Sequence, residues 1–195
     1  MLRRTRDDRG LTLIELLIYT GLMVVVITIV GAILGSALRG QRDVAASAQG
    51  NNAGQLVSQS FATGIRSATE ITVTTISPTT QLLVVRTPGT AATAVPSCRA
   101  WYVTTEGGGA VYTTSSTSAI PTPSAAQLAT WTLLAKGIQN STRVGAPAAL
   151  LTPDATPARS VSFEFTMANG VAGEPILITS SASTRQTITG STSCA

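Results

Sequence analysis

One uninterrupted apolar stretch constrains this chain more than any other feature. Residues 11–38 contain a single side chain that is charged at neutral pH, Glu15. As a helix, this stretch would be about 42 Å long at 1.5 Å per residue, which exceeds the roughly 30 Å hydrocarbon core of a bilayer. We therefore expect residues 11–38 to form a transmembrane helix.

The charges on either side of the stretch predict its orientation. Four arginines precede it, whereas Arg39 and Arg42 follow it with Asp43 beside them. This asymmetry favours an N-terminus in the cytoplasm and a C-terminal domain outside, as in a single-pass protein of the cytoplasmic membrane. A cleaved secretory signal is the alternative, because residues 35–37 are small. The apolar stretch is, however, much longer than the about 7 to 15 residues of an ordinary signal.

The composition argues against several classes of function. The chain contains no histidine and two cysteines, which excludes histidine-based catalysis, imidazole metal sites and multi-cysteine zinc sites. It carries no motif of a known catalytic or phosphate-binding site, so we expect no enzymatic activity, no cofactor and no metal. The net charge of +4 falls to +2 without residues 1–10, so no nucleic-acid partner is indicated.

The junction between the charged leader and the apolar stretch carries a motif. The leader, residues 1–10, ends at Gly10, and Leu11 opens the run LTLIELL with Glu15 as its fifth residue. This junction resembles the N-terminal motif of type IV prepilins and pseudopilins. The resemblance implies cleavage by prepilin peptidase between Gly10 and Leu11 and methylation of the new terminus. Two positions depart from the family pattern. Leu11 stands where phenylalanine is commonest, a change often tolerated in minor components, and Ala32 stands where many major pilins have a proline.

The same resemblance implies a function and a set of partners. The protein would be a minor subunit of a type IV pilus or of a type II secretion-like pseudopilus, and it would pass from the membrane into an extracellular filament. Its partners would be the membrane, prepilin peptidase, other pilin or pseudopilin subunits through the N-terminal helix and, indirectly, a platform protein and an assembly ATPase. The alternative is a membrane-anchored extracellular binding or adhesion module that enters no filament.

Glu15 indicates a function on physical grounds as well. A carboxylate near the bilayer centre costs on the order of 2 to 3 kcal/mol or more, so such residues are usually functional. If Leu11 becomes the N-terminus, its ammonium lies four residues away and can pair with Glu15 within one chain or between adjacent subunits. The second arrangement would make Glu15 an assembly contact. If the chain instead begins at Met1, Glu15 lies near the cytoplasmic interface and needs no such partner.

Beyond residue 38 the pattern predicts an amphipathic helical stem over residues 39–68. Apolar residues recur there at close to four-residue spacing: Val44, Ala48, Val57, Phe61 and Ile65. Residues 49–54 include two glycines and two asparagines, which are weak helix formers. This segment predicts either a soft point at which the stem bends or melts, or a helix that its neighbours hold in place.

Residues 69–195 are rich in Ser, Thr, Val and Ala, which predicts a β-rich extracytoplasmic domain. The candidate strands are residues 71–76, 82–86, 99–105, 110–114, 129–135, 160–166, 176–180 and 184–189. Val161, Phe163, Phe165 and Met167 alternate with polar residues, so we expect their shared face to pack against the stem. The fold class is therefore α+β, with a long N-terminal helix packed on an antiparallel β-sheet domain. The segments around residues 107–109 and 114–126 are expected to be mobile loops.

Two further sets of residues are informative in this domain. In an oxidising compartment, Cys98 and Cys194 would form one disulfide, worth about 4 to 5 kcal/mol in the chain-entropy description, and two free thiols are the alternative. Trp101, Tyr102 and Trp131 could form a ligand platform, but aromatic residues in a β domain with so few of them are more often core.

Overall fold

The computed structural model describes residues 12–88, 95–145, 149–156, 158–168, 174–186 and 194. The chain divides into two compact units, Met1–Val44 and Ala45–Ala195. A single helix, α1, runs from Leu13 to Arg66 and belongs to both units. The expected α+β fold is confirmed, because the second half of this helix packs on antiparallel β-structure.

The first half of α1 has no buried side chain from residue 13 to residue 44. The large apolar side chains between Leu13 and Leu38 remain between 49% and 85% exposed. Hydrogen bonds to the helix's own carbonyls satisfy its threonines: Thr20 donates to Leu16 and Leu17, and Thr28 donates to Val24. These threonine hydroxyls thus find their partners within the helix, while no residue of this unit from 12 to 44 covers the apolar surface of the first half.

The second half of α1 buries one face against the domain. The buried residues recur at three- and four-residue spacing: Gly50, Gly54, Val57, Phe61, Gly64 and Ile65. The expected contributions of Val44 and Ala48 to this face are wrong, because both side chains are exposed. The glycines, which offer the β-sheet a bare helix surface, occupy the upstream part of the face instead.

The first sheet contains five strands in the antiparallel order β1-β2-β3-β4-β5. Its strands are β1 (Glu70–Ser77), β2 (Thr80–Thr87), β3 (Ser97–Thr104), β4 (Ala110–Ser116) and β5 (Thr132–Lys136). A 3₁₀ turn, Glu106–Gly108, joins β3 to β4. Next to it, Gly109 has φ of 71°, and a Cβ there would collide with the backbone of Ile138. This glycine therefore permits a close approach between two segments of the domain.

The second sheet is organised around β8 (Ser160–Met167). All the other strands of this sheet pair with β8 in antiparallel fashion: β6 (Ile138–Gln139), β7 (Leu151–Pro153) and β9 (Ile176–Ser183). Gln81 on β2 joins the two sheets. Its Nε2 donates to the Leu151 carbonyl at 3.0 Å, and the Leu151 N–H donates to its Oε1 at 2.8 Å. A buried side-chain amide thus replaces a backbone partner between the sheets.

The main core lies where α1 meets both sheets. Phe61 contacts one aromatic ring of each sheet edge to face: Trp101 of β3 at 5.6 Å and Phe163 of β8 at 5.3 Å between ring centroids. Such pairs contribute about 0.5–1.5 kcal/mol beyond the burial of their surface. The apolar face of β8 packs against the helix as predicted. Its residues Val161, Phe163, Phe165 and Met167 are all buried in this core.

A second, smaller core lies on the opposite face of the first sheet. Leu82 and Val84 of β2 and Ala100 of β3 meet Ile120 there. The Cys98–Cys194 disulfide completes this core, so the sequence prediction of a bridge is confirmed. The Ile120 N–H also donates to the Cys194 carbonyl at 2.8 Å. Residue 194 is therefore fixed to the domain by a covalent bond and a backbone hydrogen bond.

Seven of the eight predicted strands overlap observed strands. The eighth, residues 184–189, is wrong over 184–186, which follow β9 without strand structure, and residues 187–189 lie outside the described part of the chain. The segment 114–126 also contains more structure than expected, because a short helix, α2 (Ala125–Leu128), begins there at a Ser124 and Gln127 capping box. Sequence pattern missed β6 and β7, which are too short to show an alternation.

Candidate functional site

Glu15 lies in the first turn of α1. Its backbone N–H donates to the Thr12 carbonyl at 3.0 Å, and its side chain is exposed and has no partner within the part of the chain that the structure describes. Gly10 and Leu11, the residues predicted to flank the cleavage site, lie outside the described residues. The structure thus presents the carboxylate at the start of the helix, where a partner from outside this chain can reach it.

The helix that carries Glu15 is long and apolar enough to cross a membrane, and it is the one such helix among the described residues. Its apolar side chains surround the helix and are not confined to one face, since Glu15, Thr20 and Thr28 are the polar residues between 13 and 34, and every residue in this range is exposed. A helix that is apolar all round requires either lipid or other apolar helices around it. The first half of α1 has this composition and exposure.

Three glycines bring the second half of α1 close to the sheets. A Cβ on Gly50 would lie 2.9 Å from the Ile176 side chain, and one on Gly54 would lie 2.7 Å from the Ile178 side chain. A Cβ on Gly64 would fall onto the indole ring of Trp101. The segment 49–54 is therefore a helix that its neighbours hold in place. Of the two alternatives that its weak helix propensity allowed, the structure shows this one.

Trp101 anchors this contact between helix and sheet. It is fully buried, and its Nε1 donates to the Ser60 hydroxyl on α1 at 2.9 Å. The core alternative for Trp101 is thus correct, whereas Tyr102 and Trp131 are half-buried around the smaller core. Sequence analysis missed the pairing of Gly64 with Trp101. The signal was present, because Gly50, Gly54, Val57, Phe61 and Gly64 follow one helical face.

The second sheet contains an ion pair that the sequence did not reveal. Arg143 donates to Glu164 at 2.9 Å, and this bond holds the pKa of the Glu164 carboxyl below its usual value. The Ser141 and Thr179 hydroxyls lower that pKa further, while burial opposes them. The Glu164 side chain is 8% exposed. Its surroundings thus favour the charged form, which is consistent with a structural role.

The described residues contain no group of three or more His, Cys, Asp or Glu side chains that could hold a metal ion. Comparisons of the chain with protein-family models, with curated proteins and with solved structures found no match. The case for a function therefore depends on the geometry of α1 and on the N-terminal motif.

Proposed function

We propose that this protein is a minor structural subunit of a type IV pilus or of a type II secretion-like pseudopilus. Prepilin peptidase cleaves it between Gly10 and Leu11, and it enters the filament through its N-terminal helix. The observation that carries the proposal is the division of α1 into an exposed apolar half headed by Glu15 and a half packed into its own domain.

The apolar half has the chemistry that such a subunit needs before and after assembly. In the membrane, lipid covers the side chains of residues 13–38. In a filament, the apolar helices of neighbouring subunits replace the lipid, and a platform protein driven by an ATPase extracts the subunit. The charged leader in the cytoplasm and the domain outside fit this path, because four arginines precede the apolar stretch, whereas Arg39 and Arg42 follow it with Asp43 beside them.

Glu15 supplies the register of assembly in this proposal. Cleavage creates an ammonium at Leu11, which pairs with Glu15 of an adjacent subunit. A buried charge left without its partner is strongly unfavourable, so only one alignment of the helices satisfies both groups. The competing function, an anchored binding module, requires neither the cleavage nor this pair.

Cleavage is tested by the intact mass and N-terminal sequence of the protein from its native envelope. The proposal requires a mature chain that begins at Leu11. Gly10→Val should accumulate as the uncleaved precursor, because its side chain blocks close approach to the scissile bond. A wild-type protein that keeps residues 1–10, or one cut near Ala37, would contradict the proposal.

Assembly is tested by Glu15→Leu, with Thr28→Val as the matched control. Both changes remove a polar group from the exposed half, but the Thr28 hydroxyl already bonds to its own helix at 2.8 Å. We expect the Glu15→Leu protein to be inserted and cleaved. The ratio of its amount in sheared filaments to its amount in the membrane should be at least tenfold lower than for the wild type. Thr28→Val should assemble normally. An unchanged ratio for Glu15→Leu would favour the anchored module.

A further inference from the structure

A groove of about 980 Å³ lies within the unit Ala45–Ala195, between α1 and the strands β3, β4 and β5. This volume is at the upper end of the roughly 300–1,000 Å³ of small-molecule sites. The side chains that matter for its chemistry are Thr63 on the helix and Arg99, Thr113, Ser115 and Thr132 on the sheet.

Arg99 supplies the charge of this groove, since the other lining residues are Ser, Thr, Gly, Pro, Val and Leu. Its guanidinium lies over the ring of the buried Trp101, 5.2 Å from the centroid. Within the described part of the chain it has no carboxylate partner and no hydrogen bond. Its N–H donors thus have no partner among the described residues, while the stacking contact limits the directions in which they can point.

Hydroxyl side chains of β4 and β5 line the groove beside this guanidinium. Strand register places Ser115 directly opposite Arg99, Thr113 opposite Trp101, and Thr132 opposite Thr113. Directly opposed residues have Cβ atoms about 4.5–5.5 Å apart. The Thr113 hydroxyl already donates to the Ala100 carbonyl at 3.0 Å, whereas the hydroxyls of Ser115 and Thr132 have no partner in the described part.

We propose that this groove binds an acidic saccharide through Arg99. A guanidinium pairs with a carboxylate or a sulfate through two parallel hydrogen bonds. Hydroxyl side chains both donate and accept, which suits the hydroxyls of a sugar ring. A single cation among many hydroxyls matches a ligand with one acidic group per sugar, and the binding is independent of filament assembly.

The groove suits a nucleic acid poorly. Sequence-tolerant binding of single strands relies on exposed aromatic faces for base stacking and on a basic groove along the backbone. Trp101 is fully buried, Arg99 lies over its ring, and no second cation lines the groove among the residues that the structure describes. Binding of an oligonucleotide is therefore an outcome that would count against the proposal.

The test is calorimetric titration of the full-length protein in detergent with four probes. These are an oligogalacturonate, a heparin oligosaccharide, a neutral dextran oligosaccharide and a single-stranded DNA oligonucleotide. We expect binding of at least one acidic saccharide, weakened by added salt, and no binding of dextran. Binding of the oligogalacturonate shows that a carboxylate is sufficient, whereas binding of heparin alone shows that sulfate is needed, because heparin carries both groups. Failure of both, equal binding of dextran or tighter binding of DNA would overturn the proposal.

A matched pair of variants and one further variant tie the binding to the groove. Arg99→Gln removes the charge and should weaken binding at least tenfold. Arg159→Gln removes an exposed arginine that does not line the groove and should change the affinity less than twofold. Ser115→Ala should weaken binding two- to fivefold, and an intact Cys98–Cys194 disulfide verifies folding. Equal losses for Arg99→Gln and Arg159→Gln would indicate non-specific charge attraction and would overturn the proposal.

Discussion

The two halves of α1 differ in composition and in burial: the more apolar half is the exposed one, and the more polar half is the one with buried residues. Residues 13–38 are almost wholly apolar and bury none of their side chains. Residues 45–66 contain more Asn, Gln and Ser, yet they contain every buried residue of the helix. Hydrophobicity by itself therefore does not tell which part of a long helix belongs to the domain core.

Shape complementarity decides which half packs. The stem presents three bare glycine surfaces and one large ring, Phe61, to the two sheets. The apolar half is rich in branched side chains, and a Cβ on any of its three glycines would meet no atom within 4 Å. The first pattern fits one partner within the chain. The second pattern fits any apolar surroundings, which is what a helix needs if it moves from lipid to a bundle of other helices.

The largest expected effect tests whether Phe61 carries the packing of the stem. Phe61→Ala should lower the free energy of unfolding of the domain by about 3–5 kcal/mol, because it removes a buried ring that contacts both sheets. The control is Tyr19→Ala, a similar truncation in the exposed half, where the domain should change by less than about 0.5 kcal/mol. Urea unfolding followed by tryptophan fluorescence measures both. Equal effects would refute the contrast between the halves.

The same substitution, glycine to alanine, should change the free energy of unfolding in opposite directions at Gly64 and at Gly40. Gly64→Ala places a Cβ on the buried Trp101 ring, and overpacking of this kind costs about 1–3 kcal/mol. At Gly40 a Cβ meets no atom within 4 Å, so Gly40→Ala should only strengthen the helix, by about 1 kcal/mol at most. The same unfolding assay compares them. A stable Gly64→Ala would mean that the helix and β3 are less closely packed than described.

The smallest effect concerns acid. Hydrogen bonds from the backbone N–H groups of Ser160 and Arg159 lower the pKa of Asp154, and the bond from Arg143 lowers that of Glu164. A lowered folded-state pKa adds stability that is present above the unfolded values of about 3.9 and 4.3 and is lost as pH falls through the folded ones. The domain should therefore lose stability between about pH 5 and pH 2.

Asp154→Asn combined with Glu164→Gln should flatten this dependence below pH 5. Hydrogen exchange by mass spectrometry would report it peptide by peptide. Amides of residues 45–66 should lose protection together with the sheets as pH falls, because this half of α1 unfolds with the domain. If they kept their protection after the sheets had lost it, the stem would be stable on its own.

Sequence pattern revealed the parts of this fold that have a period. The apolar run predicted the first half of α1, and the alternation in β8 predicted both the strand and the face that packs on the helix. The disulfide followed from a count of two cysteines. Each of these predictions uses information contained within a short segment or in the composition.

Features that depend on contacts distant in sequence were not predictable in the same way. The two-residue β6 and the three-residue β7, which ends in Pro153, exist because β8 offers them a partner. The groove around Arg99 depends on the register of three strands and on the path of the helix. Val44 and Ala48 match the apolar spacing of the stem but are exposed, because the close contacts at this end of the stem are made by the glycines at residues 50 and 54.

The contacts of Gly50 and Gly54 also have a consequence for the order in which the protein folds. Their partners Ile176 and Ile178 on β9 follow more than 120 residues later in the chain. Contacts that close such long loops form late and slow the folding of a domain. The weak helical segment at residues 49–54 must therefore wait for β9 before it becomes firmly structured. During synthesis, the stem is expected to remain exposed to proteases and chaperones until nearly all of the domain has been made.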